Sequence, residues 1–197
     1  MTKHQWYKEE KIDLLKSWII LSLAFAILMT RRDFSFVSLF IYLAISAVTV
    51  GAGFLLHELA HKFVAEKYRC KAVYKADPIM LGITLISSLL GFIFAAPGAV
   101  YIIGSLDKRT NGIISLAGPL TNIVMAFGFL LLILFSPEGI VNTIAAFGFF
   151  INGWLAAFNM LPFGVFDGKK IWNWNKTVYI VTVVVAVGLV FSRFTLL

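Results

Sequence analysis

Long apolar runs separated by short charged turns constrain this chain more than any other feature. Ser17–Thr30, Phe34–Ala65, Ile113–Phe135, Ile140–Leu161 and Thr177–Phe194 each read as a helix in or across a bilayer. A hydrocarbon core of about 30 Å asks for about 20 apolar residues at ~1.5 Å each. Ser17–Thr30 is short and spans with some mismatch, helped by Trp18 at the interface. Phe34–Ala65, apolar up to His57, is long enough to reach about 48 Å, so its last turns lie in the interface or beyond. Composition agrees. The chain is 60% hydrophobic and 14% charged, against roughly 45–50% and about 25% for a soluble domain. A soluble enzyme and a disordered chain are both excluded. A net charge of +7 often signals nucleic acid, but here the lysines and arginines sit between apolar runs. That is the pattern of membrane-flanking charge, so the expected partner is the lipid bilayer, with no nucleic acid. A single cysteine, Cys70, excludes an internal disulfide.

One apolar stretch, Leu81–Gly104, is awkward as a helix. It carries Gly82, Gly91, Pro97-Gly98 and Gly104 as well as Thr84, Ser87 and Ser88. Basic residues flanking membrane spans gather on the cytoplasmic side. If Leu81–Gly104 crosses fully, the two sides come out nearly even. If it enters and returns, 14 of the 17 lysines and arginines fall on one side, leaving only Arg31, Arg32 and Arg193 on the other. The re-entrant reading therefore wins, and non-helical backbone at membrane depth suits it where protein or water covers the chain. The expected fold is an all-α polytopic membrane protein of about five transmembrane helices plus a re-entrant strand or loop. Residues 1–16 read as a polar tail and 17–197 as a single membrane-embedded domain. The N-terminus is expected on the cytoplasmic side.

An ionisable group at membrane depth is costly and marks a functional site by default. Three of them cluster in Leu55-Leu56-His57-Glu58-Leu59-Ala60-His61. On a helix, residues i and i+4 share a face, so His57 and His61 can grip one metal with Glu58 beside the open coordination position. Catalytic zinc takes three protein ligands, so a third must come from elsewhere. His4 lies in the tail and is a poor candidate. Glu138 lies in a turn on the far side. Asp77 and Asp107 border the basic loops. Asp167 follows the fourth span at a depth that matches the two histidines.

His57-Glu58-Leu59-Ala60-His61, taken with Asn159…Pro162…Asp167-Gly168, resembles the site-2 protease family of intramembrane zinc metalloproteases. Ala117-Gly118-Pro119-Leu120-Thr121-Asn122 and Ala96-Pro97-Gly98-Ala99 also resemble stretches between those motifs. The resemblance runs from about Phe34 to Gly168. It implies one zinc ion per chain held by His57, His61 and Asp167, with Glu58 as catalytic acid/base. It implies substrate-binding roles for Asn159 and Asn122, and a transmembrane-helix protein as substrate. It also implies a three-helix catalytic core at about 34–168, made of Phe34–Ala65, Ile113–Phe135 and Ile140–Leu161, with a sheet or re-entrant element in the segment before Asn122. Because Lys169 and Lys170 follow Asp167 at once, the active site is expected to open on the cytoplasmic side. The chain departs from the family in lacking a PDZ domain between the motifs and a CBS pair after them, and only one span follows Asp167. Two other readings compete. One is a catalytically inactive scaffold of the same fold. The other is a metal or ion transporter using the His/Asp cluster, against which stands the clustering of polar groups near one face.

Overall fold

The computed structural model describes residues 6–104 and 106–196; His4 lies outside them. The chain is an all-α polytopic membrane protein with one small sheet. Helix α1 is Lys8–Thr30. Helices α2 (Phe36–Ser46) and α3 (Ala52–Lys67) are joined through a π turn at Ala47–Gly51 and form one continuous rod. Strand β1 (Lys71–Ala76), helix α4 (Pro78–Leu90) and strand β2 (Gly98–Ile103) follow. Helices α5 (Lys108–Phe135), α6 (Ile140–Asn159), α7 (Asp167–Trp174) and α8 (Lys176–Leu196) complete the chain. Four of the described helices are long and apolar enough to cross a membrane: Lys8–Thr30, Phe36–Lys67, Lys108–Phe135 and Ile140–Asn159. Helix α8 adds a further apolar segment, Lys176–Ser192.

Local chemistry sets the boundaries. Ser35 caps α2 by accepting the Ser38 N–H at 3.0 Å. Asp77 caps α4 by accepting from Ile79 and Met80, with Pro78 in the first turn, where its missing N–H costs nothing. Asp107 caps α5 through the Thr110 N–H at 2.6 Å, and these bonds lower the pKa of its carboxyl. Gly91 ends α4 at φ 98°, a left-handed conformation that favours glycine.

The polar stretch expected as a tail is helical from Lys8 onward. Its carboxylates have distant partners. Glu10 is buried and meets Lys62 of α3 at 2.9 Å and the Tyr74 N–H of β1 at 3.0 Å. Asp13 accepts the Ala76 N–H at 3.2 Å. Lys62, wholly buried, also reaches Glu66 and the Ala72 carbonyl. Ala72, Tyr74 and Ala76 are alternate residues of β1, so their polar groups share one edge of the strand. Side chains from α1 and α3 therefore close the outer edge of the sheet.

Leu81–Gly104 returns to the level at which it left. Ala76 pairs with Gly98 across the antiparallel sheet, and the Asp77 N–H bonds the Pro97 carbonyl at 3.0 Å. The segment is nonetheless more helical than its Gly, Pro and Ser content predicts, because Pro78–Leu90 forms α4. The hydroxyls explain this. Thr84 Oγ1 donates to the Phe94 carbonyl at 3.1 Å, and Ser87 Oγ accepts the Phe94 N–H at 3.0 Å. Two polar side chains of α4 thus satisfy the extended backbone that runs back beside it, as hydrocarbon requires.

The core sits between α5, α6 and α8, where Ile123, Ala126, Phe149, Ala156, Ala186 and Leu189 pack together. Small residues bring these helices close, as is usual in membranes. At Gly148 a Cβ would stand 2.7 Å from the Phe129 ring.

Candidate metal centre

Helix α3 presents His57 and His61 toward α5 and Glu58 toward β2, and all three are buried. Their approach depends on a glycine. A Cβ at Gly118 of α5 would lie 2.5 Å from the Nε2 atoms of both histidines. Pro119 next to it lacks the N–H that the Ser115 carbonyl would otherwise accept, loosening this turn of α5. The adjacent Ile114 carbonyl accepts from His61 Nδ1 at 2.8 Å.

Asp167 arrives from the start of α7. Gly168 permits the close seating of that helix, since a Cβ there would collide with the carbonyl of Met160 at the end of α6. Asp167 Oδ2 then stands 3.3 Å from His57 Nε2 and 3.0 Å from His61 Nε2, with the two Nε2 atoms 3.0 Å apart. The structure brings these three residues together and leaves Asp77 and Asp107 at helix caps.

The hydrogen bonds on the far side of the rings decide what this cluster can hold. Asn122 Nδ2 donates to the Gly53 carbonyl at 3.1 Å and to Asn152 Oδ1 at 3.0 Å. Asn152 Nδ2 in turn donates to the Gly148 carbonyl at 2.9 Å. Both ends of the chain are carbonyl acceptors, so its direction is set, and Asn122 Oδ1 must face His57 Nδ1, at 2.6 Å, as an acceptor. Both histidines therefore carry a proton on Nδ1. Their Nε2 lone pairs converge with a carboxylate oxygen, and three acceptors so close need positive charge between them. A divalent metal ion meets all three at once, and two imidazoles with one carboxylate are a donor set that zinc accepts.

The cluster opens on a largely apolar cavity of about 590 Å³. Glu58 lines it, with its Oε2 accepting the Val100 N–H of β2 at 3.1 Å. The return segment from Ile93 to Val100 forms one wall. Asn159 also lines the cavity, half-buried, and donates to the Leu155 carbonyl at 2.9 Å. Asn122 touches the cavity too, but both its N–H donors are spent within the protein. Lys170 stands at the rim with Nζ 3.3 Å from Asp167 Oδ1.

Sequence reasoning missed Asn152, whose only signal was one more asparagine in an apolar run. It also missed the Val100 amide, which carries no side-chain signal at all.

No protein-family model matches the chain, and no solved structure matches it. Two curated proteins do. The chain is 40% identical over 192 residues to a Methanocaldococcus jannaschii protein named "Putative zinc metalloprotease MJ0611", covering 95% of this chain and 96% of the relative. It is 33% identical over 144 residues to Bacillus subtilis "Putative zinc metalloprotease YwhC", covering 63% of this chain and 65% of that one. With near full-length similarity to the first of these, the chain belongs to the zinc metalloprotease family that they represent.

Proposed function

We propose that this protein is an intramembrane zinc metalloendopeptidase of the site-2 protease type, cutting a transmembrane segment of a membrane-protein substrate. The observation that carries this reading is the convergence of His57, His61 and Asp167 beside Glu58 in one cavity framed by apolar helices. His57, His61 and Asp167 would hold one zinc ion. When bound, zinc supplies Lewis acidity that brings the pKa of water toward about 7 and polarises a carbonyl. Glu58 takes the proton from the attacking water and passes it to the leaving amine. Asn122 and Asn152 fix the His57 ring, and the Ile114 carbonyl fixes His61, so the ligand geometry is set before substrate arrives. Asn159 faces the substrate backbone.

A helical substrate hides its carbonyls and must unwind locally to be cut. Each unpaired backbone group then costs several kcal/mol in hydrocarbon. The inner edge of β2 lines the cavity and offers strand pairing to an unwound segment. The distribution of lysine and arginine supports a cavity that opens on the cytoplasmic side, near Lys170.

The test is zinc per chain after gentle detergent purification, for the native chain and for Asp167→Ala, followed by cleavage of single-span peptides. About one zinc, lost or sharply weakened in the variant, and cleavage that depends on Glu58 are expected. Zinc unaffected by Asp167→Ala breaks the ligand assignment. Zinc bound without any cleavage leaves the inactive-scaffold reading in its place.

A further inference from the structure

The sheet has two edges, and they differ. On β1, the outward polar groups of Ala72, Tyr74 and Ala76 are taken by Lys62, Glu10 and Asp13. On β2, the partners of those residues are Ile102, Val100 and Gly98. In an antiparallel ladder, both members of such a pair turn their N–H and C=O away from each other. Gly98, Val100 and Ile102 therefore point their backbone groups away from β1, and all three residues line the cavity. The Val100 N–H is the central one of the three, and Glu58 Oε2 accepts it at 3.1 Å.

This bond does two things. It ties a buried carboxylate to a strand rather than to its own helix, which selects one orientation of Glu58. It also removes a donor from the middle of the docking edge. A chain laid along β2 would normally exchange two bonds with Val100: its N–H to the Val100 carbonyl, and its C=O from the Val100 N–H. With that N–H committed to Glu58, the facing residue keeps one bond and its carbonyl is left unpaired beside the base.

We infer that the Val100 backbone amide is a positioning group that orients Glu58 over one register of the docking edge and so sets which substrate peptide bond is cut. The inference rests on the protease reading above and deepens it. The residue opposite Val100 supplies the scissile carbonyl, held by ladder bonds on either side at Gly98 and Ile102.

The experiment replaces the Val100 amide with an ester, by incorporating the matching α-hydroxy acid into the full-length, zinc-loaded chain. This deletes one N–H and keeps the side chain. Val100→Pro is the second variant, and it costs no ladder bond because that N–H points away from β1. An ester at Ile102 is the comparison, since its N–H faces the same cavity without touching Glu58. With single-span peptides as probes, the Val100 ester is expected to keep one zinc and a KM within about twofold of the native value, while kcat falls about tenfold or more. Cuts should spread to neighbouring bonds when products are mapped by mass spectrometry. The Ile102 ester should raise KM and leave the cut at the same bond. Native kcat with a single cut in the Val100 variants overturns the inference, as does the same outcome for both esters. A second readout needs no turnover. The carboxylate infrared band that disappears in Glu58→Gln should shift in the Val100 ester and stay put in the Ile102 ester. Absence of that shift sinks the tether. A shift without cleavage of any peptide by the native chain counts instead against the protease reading.

Discussion

Asn122 Oδ1 lies 2.6 Å from His57 Nδ1, and the orientation of that amide is dictated by carbonyls of two other helix turns, Gly53 and Gly148. The ring of one candidate ligand is thus held by a relay crossing from α3 through α5 to α6. Outer-shell partners of this kind typically contribute about 10–100-fold in metal affinity. Asn122→Ala is expected to weaken zinc binding by about that factor, read by competition with a chromogenic chelator. Asn152→Ala should weaken it less, because Asn122 keeps its bond to Gly53.

Gly118 makes a sharper case. Gly118→Ala puts a methyl carbon 2.5 Å from both Nε2 atoms, inside the space the metal needs. Zinc content should collapse while helix content by circular dichroism stays at the native level. Full zinc occupancy in this variant would show that the histidines meet elsewhere.

Glu58 is expected to matter for turnover and not for the metal. Glu58→Gln keeps the size and burial of the side chain but cannot take a proton. Cleavage should fall by roughly 10²–10⁴, the usual contribution of a general acid–base group, with zinc per chain unchanged. A transport path lined by the same cluster predicts no such separation.

The buried cation Lys62 allows a stability test away from the metal. Lys62→Met leaves Glu10 buried against an apolar side chain and should destabilise the chain by about 3–5 kcal/mol. The double variant Lys62→Met with Glu10→Gln should recover part of the loss, since it removes the orphaned charge as well. Unfolding in a denaturing detergent titration measures both. Equal losses in the single and double variants would mean that Glu10 carries no orphaned-charge penalty once Lys62 is gone.

Much of the site was legible because its logic is local or tied to depth. His57 and His61 share a helix face by spacing alone, and Asp167 follows the fourth span at a matching level. The mostly helical architecture followed from apolar run length. The remaining features depend on partners far away in the chain. Glu10 is 52 residues from Lys62 and 64 from Tyr74, so the start of α1 reads as a solvated tail until the sheet is built. Thr84 and Ser87 look like interruptions of a helix, yet they support it, because the backbone they serve returns only at Phe94. An asparagine in an apolar run looks the same whether it meets substrate or another side chain, and only the packed structure shows that the donors of Asn122 are spent.

The closed edge of β1 has a practical reach. Trimming the polar residues before Ser17 as an expendable leader would strip away Glu10 and Asp13 and bare the outward N–H groups of Tyr74 and Ala76, leaving the Ala72 carbonyl to Lys62. An uncovered edge is a template for pairing with another chain. Shortened forms of this protein should therefore self-associate through β1 before they lose their helices, so that removing what reads as a tail changes solution behaviour first and fold only afterwards.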